Sequence, residues 1–189
     1  MKKQFLKLAV IAIIAGVVAT SCRSQQPTIQ AGAERVTIPF QSREFRTDAN
    51  HFRAVNQGQS VDYAMARRTA MQNARTELAS SIEAVVREVT RQYNDQVQVA
   101  NRQEFETRLQ AESRTVVNQQ LNDVRVLGEE VFREPDGRLT VWVAIEMPRG
   151  ALVNSLNDRI SRDERLRLEF NQYQFGRIFD EEMRRFENR

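Results

Sequence analysis

Two side chains in this chain stand out for chemistry, because each is the single one of its type. There is one cysteine, Cys22, and one histidine, His51. A Ser–His–Asp or Cys–His arrangement needs a base beside an activated nucleophile. His51 would have to serve it alone, and no Gly-x-Ser-x-Gly motif accompanies it. A zinc site needs several Cys or His ligands at short spacing, which this composition does not supply. The carboxylate doublets Glu129-Glu130 and Glu181-Glu182 are neighbours in sequence, so their side chains point in different directions. They read as solvated surface. The glycines are scattered and form no phosphate-cradling loop. No catalytic residue, metal or cofactor is expected, and the chain does not read as an enzyme.

Cys22 fits a different chemistry. Lys2, Lys3 and Lys7 form a positive start, Leu8 to Ala19 is apolar, and Ala19-Thr20-Ser21 places small residues ahead of the cysteine. This is the layout of a secretory signal peptide. The apolar run is shorter than the roughly 20 residues a membrane-spanning helix needs. The order resembles a lipobox, with Ala19 where Leu is commonest, and implies that Cys22 accepts lipid. A plain secretory signal or an uncleaved anchor are the alternatives. The expected partner is then a membrane, through the lipid anchor.

Removal of that leader changes the electrostatics. The chain has 28 Lys+Arg and 25 Asp+Glu, a net of +3. The leader carries three lysines and no acids, so 28 − 3 = 25 bases remain against 25 acids. A nucleic-acid binder shows a basic surplus or stripe, and none survives, so no nucleic acid is expected. All remaining bases are arginine, which holds planar, bidentate pairs with carboxylates. A salt-bridged helix surface is the plain reading; an arginine cluster for phosphate or carboxylate is the sharper one.

The elements follow from periodicity. Residues 1–21 read as the lipoprotein signal peptide and 22–33 as a flexible tether. Residues 34–160 read as an α+β lipoprotein domain, and 161–189 as a C-terminal charged amphipathic helix. Val36, Ile38 and Phe40 alternate with polar residues and suggest a first strand. Residues 41–60 read as irregular, with Phe45, Phe52 and Val55 as apolar plugs. From Val61 to about Tyr93, Met71, Ala74, Leu78, Ile82, Val85 and Val89 form one helical stripe. Ala66, Ala70 and Ala74 keep that helix thin. Gln103 to Leu121 suggests a second helix, with Phe105, Leu109, Val116, Val117 and Leu121 inside. Its second half also suits a strand.

Leu139, Val141, Val143, Ile145 and Met147 alternate, so they share one face of a strand. Pro135-Asp136-Gly137 supplies the hairpin turn before it, Val124, Val126 and Val131 mark its partner strand, and Gly128 suits a bulge. Leu152, Val153, Leu156 and Ile160 suggest a short helix after Pro148. The fold class is α+β: a long Ala-rich helix and additional helices on a small antiparallel sheet with a β-hairpin.

Ile38-Pro39-Phe40, Glu44-Phe45-Arg46-Thr47-Asp48 and His51-Phe52-Arg53-Ala54 precede the Ala-rich helix. Val117-Asn118-Gln119-Gln120-Leu121, Ser161-Arg162-Asp163-Glu164 and Phe179-Asp180-Glu181-Glu182-Met183 follow it. Together these resemble a group of uncharacterised Bacteroidota envelope lipoproteins. They are loosely similar to the Lpp-twenty-like lipoprotein family, whose common element is an alanine-rich helix beside a small antiparallel sheet. The resemblance implies fold and envelope location and carries no catalytic residues.

The expectation is a lipid-anchored cell-envelope protein, on the outer membrane and facing the periplasm, acting as a non-catalytic interaction or structural module. The alternative is a periplasmic small-ligand or glycan-binding lipoprotein. Candidate partner-binding residues are Leu168 and Phe175, which fall off the tail's apolar stripe, and Trp142. Trp142 reads either as core under a helix or as an exposed platform. Phe170, Tyr173 and Phe179 are expected on the tail's inner face. An envelope protein or a second copy is the expected partner of the outer one.

Overall fold

The computed structural model describes residues 36–97 and 100–188. Cys22 and the leader lie outside the described residues. Ile38–Arg189 forms one compact unit, so the tail belongs to the domain.

In chain order the elements are β1 His51–Ser60, α1 Tyr63–Gln96, α2 Arg102–Gln120, β2 Arg125–Arg133, β3 Leu139–Pro148, α3 Arg149–Arg162, α4 Glu164–Glu169 and α5 Gln172–Glu187. Among the described residues, these five helices pack on an antiparallel sheet of order β1-β3-β2. The α+β expectation holds in this form.

The long helix forms where its stripe predicts. Asp62 caps it by accepting from the Met65 N–H at 2.9 Å, satisfying one of the donors a helix start leaves unpaired. Ala66, Ala70, Ala74, Leu78, Ile82, Val85 and Val89 are buried, and Met71 is half-buried. α2 is helical throughout, with Phe105, Leu109, Val116 and Val117 buried. β3 buries Val141, Val143, Ile145 and Met147 against the helices. Gly137 takes a φ of +85° in the hairpin turn, and the ladder slips between Val126 and Gly128. In α3, Leu152, Leu156 and Ile160 face inward.

The first strand is not where alternation placed it. Val36 and Ile38 are exposed, and Phe40 has a φ of +59°, so no strand forms there. The strand lies in the stretch read as irregular, pairing Phe52 with Met147 through to Ser60 with Leu139. Its helix-facing positions are Phe52, Ala54, Asn56 and Gly58. Helix α1 approaches closely at Gly58, and Asn56 donates to Glu77 of that helix at 2.8 Å, so the second half of the strand carries no apolar alternation to read.

The tail also differs. Residues 161–162 end α3, and the rest is two helices, α4 and α5, with a break at Phe170 and Asn171. The Tyr93 hydroxyl donates to the Glu169 carbonyl at 3.0 Å and accepts from the Asn171 N–H at 2.7 Å. Asn171 then caps α5 through the Gln174 N–H. Burial raises the pKa of the Tyr93 hydroxyl above its ordinary value, outweighing the Asn171 N–H, which favours the phenolate. The break shifts the helical phase. Phe175 is therefore buried and Tyr173 is exposed, the reverse of the single-helix expectation. Phe175 packs among Tyr93, Phe170 and Phe179 at ring distances of 5.9, 5.1 and 6.2 Å.

Candidate functional site

The sheet turns one face to the helices and one outward. Val55, Gln57, Trp142, Ala144, Glu146, Glu130 and Phe132 lie on the outer face by alternation and register. Residues 38–48 run across part of it as a strap. Phe40 lies over Gly128: a Cβ built there would come 2.6 Å from the ring. Phe45 meets Phe40 edge-on with centroids 4.8 Å apart. This cover explains why Ala144 and Glu146 are buried on the face away from the helices.

An ion network fastens the strap. Arg53 on β1 donates to Glu146 at 3.0 Å, to Asp48 at 2.6 Å and to the Arg46 carbonyl at 2.8 Å. Glu146 also accepts from Arg125. Burial pushes the Asp48 carboxyl up, but the Arg53 guanidinium and the Asn50 and His51 N–H groups outweigh it. Its pKa lies below the ordinary value. Arg53 and Arg125 act here as structural partners of Asp48 and Glu146. His51 sits in the same turn, with Nδ1 3.7 Å from Asp48.

Beyond the strap, near the β1 edge, is an open groove of about 720 Å³ lined in part by Phe40, Phe45, Val55, Glu77 and Phe186. Trp142 lies on the uncovered part of the outer face, half-buried, with Gln57 and Glu130 as its cross-strand neighbours. It is not under a helix, which removes one of its two readings.

The opposite edge, β2, carries exposed apolar side chains on both faces. Val126, Val131 and Phe132 are 39%, 48% and 44% exposed. Helix α1 packs on β1 and β3 and reaches β2 mainly with polar groups. Tyr63 and Arg67 both donate to Glu129, Arg67 at 2.7 Å. Adjacent apolar residues at 131 and 132 point to opposite sides of a strand, and the order β1-β3-β2 puts both at the sheet margin.

Leu168 is 81% exposed. It borders a cavity of about 160 Å³ with Phe105, Arg108, Arg165, Leu166 and Glu169. Phe175 is fully buried and is unavailable to a partner, so the pairing of Leu168 with Phe175 on one recognition face is corrected. The carboxylate doublets are not uniform surface either. Glu182 is buried and accepts from Gln92 at 3.0 Å, whereas Glu181 pairs with Arg177 along α5. Among the described residues, no three His, Cys, Asp or Glu side chains gather as metal ligands. No described helix is long and apolar enough to cross a membrane.

No protein-family model, curated protein or solved structure matches this chain.

Proposed function

We propose that this chain is a lipid-anchored cell-envelope protein, held through Cys22 to the periplasmic side of the outer membrane, acting as a non-catalytic interaction or structural module. The observation that carries the module reading is the β2 edge, a sheet margin with apolar side chains exposed on both faces. Exposed strand edges present unpaired main-chain groups and template pairing with another chain. The leader layout and Cys22 support the anchoring, as does the resemblance to envelope lipoproteins. One acyl chain gives marginal attachment and additional chains make it stable.

Intact mass spectrometry of the native protein tests the anchor. The expected species begins at acylated Cys22, and Cys22→Ser moves the protein out of the membrane fraction. An unmodified Cys22 in the native protein sinks the proposal. A second reading, glycan binding, rests on Trp142: a half-exposed indole flanked by Gln57 and Glu130 offers a stacking surface with polar neighbours. As the chain has one tryptophan, its fluorescence is the discriminating readout.

A further inference from the structure

The main-chain polarity of the β2 edge follows from the opposite side of the sheet. The Arg53 N–H and C=O are both taken by the Thr47 hydroxyl, at 2.9 and 3.2 Å. Arg53 therefore turns its main chain away from β3. In an antiparallel ladder this direction alternates residue by residue, so Ala54, Asn56 and Gly58 bond to Ile145, Val143 and Val141. The intervening β3 residues Ala144, Trp142 and Thr140 then bond to Gly128, Glu130 and Phe132 on β2. Glu129, Val131 and Arg133 are left with N–H and C=O groups pointing outward along the edge.

We propose that β2 pairs antiparallel with β2 of a second copy, centred on Val131, joining the two sheets edge to edge. This deepens the interaction-module reading, on which it rests, by naming the partner. Charge selects the register. Centred on Val131, Glu129 faces Arg133 of the second copy, twice by symmetry, and Val131 faces its own copy. Glu130 lies opposite Phe132 on the other face. Centred on Glu129, two like carboxylates would oppose each other and Arg125 would oppose Arg133, a destabilising arrangement. The slip at Val126 and Gly128 ends the regular strand, so the pairing segment is the five residues 129–133.

Glu129 already accepts from Tyr63 and Arg67. A carboxylate has further lone pairs for a guanidinium. The position of α1 over β1 and β3 leaves the helix-side face of β2 open, so the two helices do not collide across the junction. A short strand pairing is a weak contact in solution. In solution the dimer is therefore expected at high protein concentration, and anchoring both copies in one membrane, which raises their effective concentration, would extend it to lower abundance.

The test uses the full chain in detergent, with Cys22→Ser so that no native thiol interferes. A hydrogen-bonded antiparallel pair sets its Cα atoms about 5.5 Å apart, within disulfide reach. Val131→Cys is expected to yield a disulfide-linked dimer under mild oxidation. Glu129→Cys is expected to stay unlinked, since four residues of offset separate it from its copy by about 13 Å. In sedimentation without the added cysteine, the chain is expected to dimerise with concentration, and Arg133→Glu to weaken that at least tenfold.

A monomer at all concentrations with no Val131→Cys cross-link overturns the proposal. So does equal cross-linking through Glu129→Cys, or occupation of β2 by another protein on a monomeric chain. Those results would leave a different partner for the module open, whereas an unmodified Cys22 would remove the anchor and leave the dimer measurement untouched.

Discussion

Gly58 decides how closely helix and sheet meet. A Cβ there would lie 2.3 Å from the Ala70 nitrogen and 2.4 Å from the Ala66 oxygen, both main-chain atoms. Backbone cannot move aside as the end of a flexible side chain can. Gly58→Ala is therefore expected to cost about 3 kcal/mol, the upper end of ordinary overpacking. It should appear in urea unfolding as a lower midpoint at unchanged slope. Gly176 is the matched contrast: nothing lies within 4 Å of a Cβ built there, inside α5. Gly176→Ala is expected to stabilise by up to about 1 kcal/mol through helix propensity. The alanines that receive Gly58 were legible in the sequence as a thin helix. Gly58 itself was not, because a missing side chain in a polar run looks like a loop until its neighbour is known. Cys22 was legible for the opposite reason, since a leader's order of charge, apolar run and small residues is local.

Long elements with strong periodicity were readable, and the break between α4 and α5 was not. The run from Ser161 to the end has helical spacing on either side of Asn171, and an Asn of N-cap type is too common within such a run to mark a phase reset by itself. The cause is the Tyr93 hydroxyl on α1, nearly eighty positions away in sequence, which bonds both Glu169 and Asn171. That phase reset exchanges the roles of Tyr173 and Phe175. Phe175→Ala is expected to destabilise by about 3 kcal/mol or more, because it empties a buried aromatic site. Leu168→Ala, at an 81% exposed position, is expected to stay within about 0.5 kcal/mol of the parent. Paired thermal melts check this. Equal losses would mean that Leu168 packs as well as Phe175 does. The β2 edge was half legible: Val131 marked a strand, but that strand's being an edge depends on the order β1-β3-β2, which no local pattern contains.

Across the whole molecule, helix α5 closes a core that the remaining elements cannot close. Phe175, Ile178, Phe179 and Met183 are buried, and Phe179 meets Phe52 of β1 edge-on at 6.3 Å. A chain stopped after Asn171 would expose that seam along with the side chains facing it on α1. Such a chain is expected to lose its cooperative melting transition, read by circular dichroism. A sharp transition within a few degrees of the parent would show α5 to be an accessory. The strap has a separate, mechanical consequence. A pull on the chain from its N-terminal side first reaches Phe40 over Gly128, then the Arg43 ion pair to Glu187, then the Asp48 hook on Arg53. These contacts lie in series ahead of β1, so they would peel one at a time while the sheet stays intact. Residues 38–48 would thereby act as a shock absorber, yielding slack under tension before the load reaches the folded core.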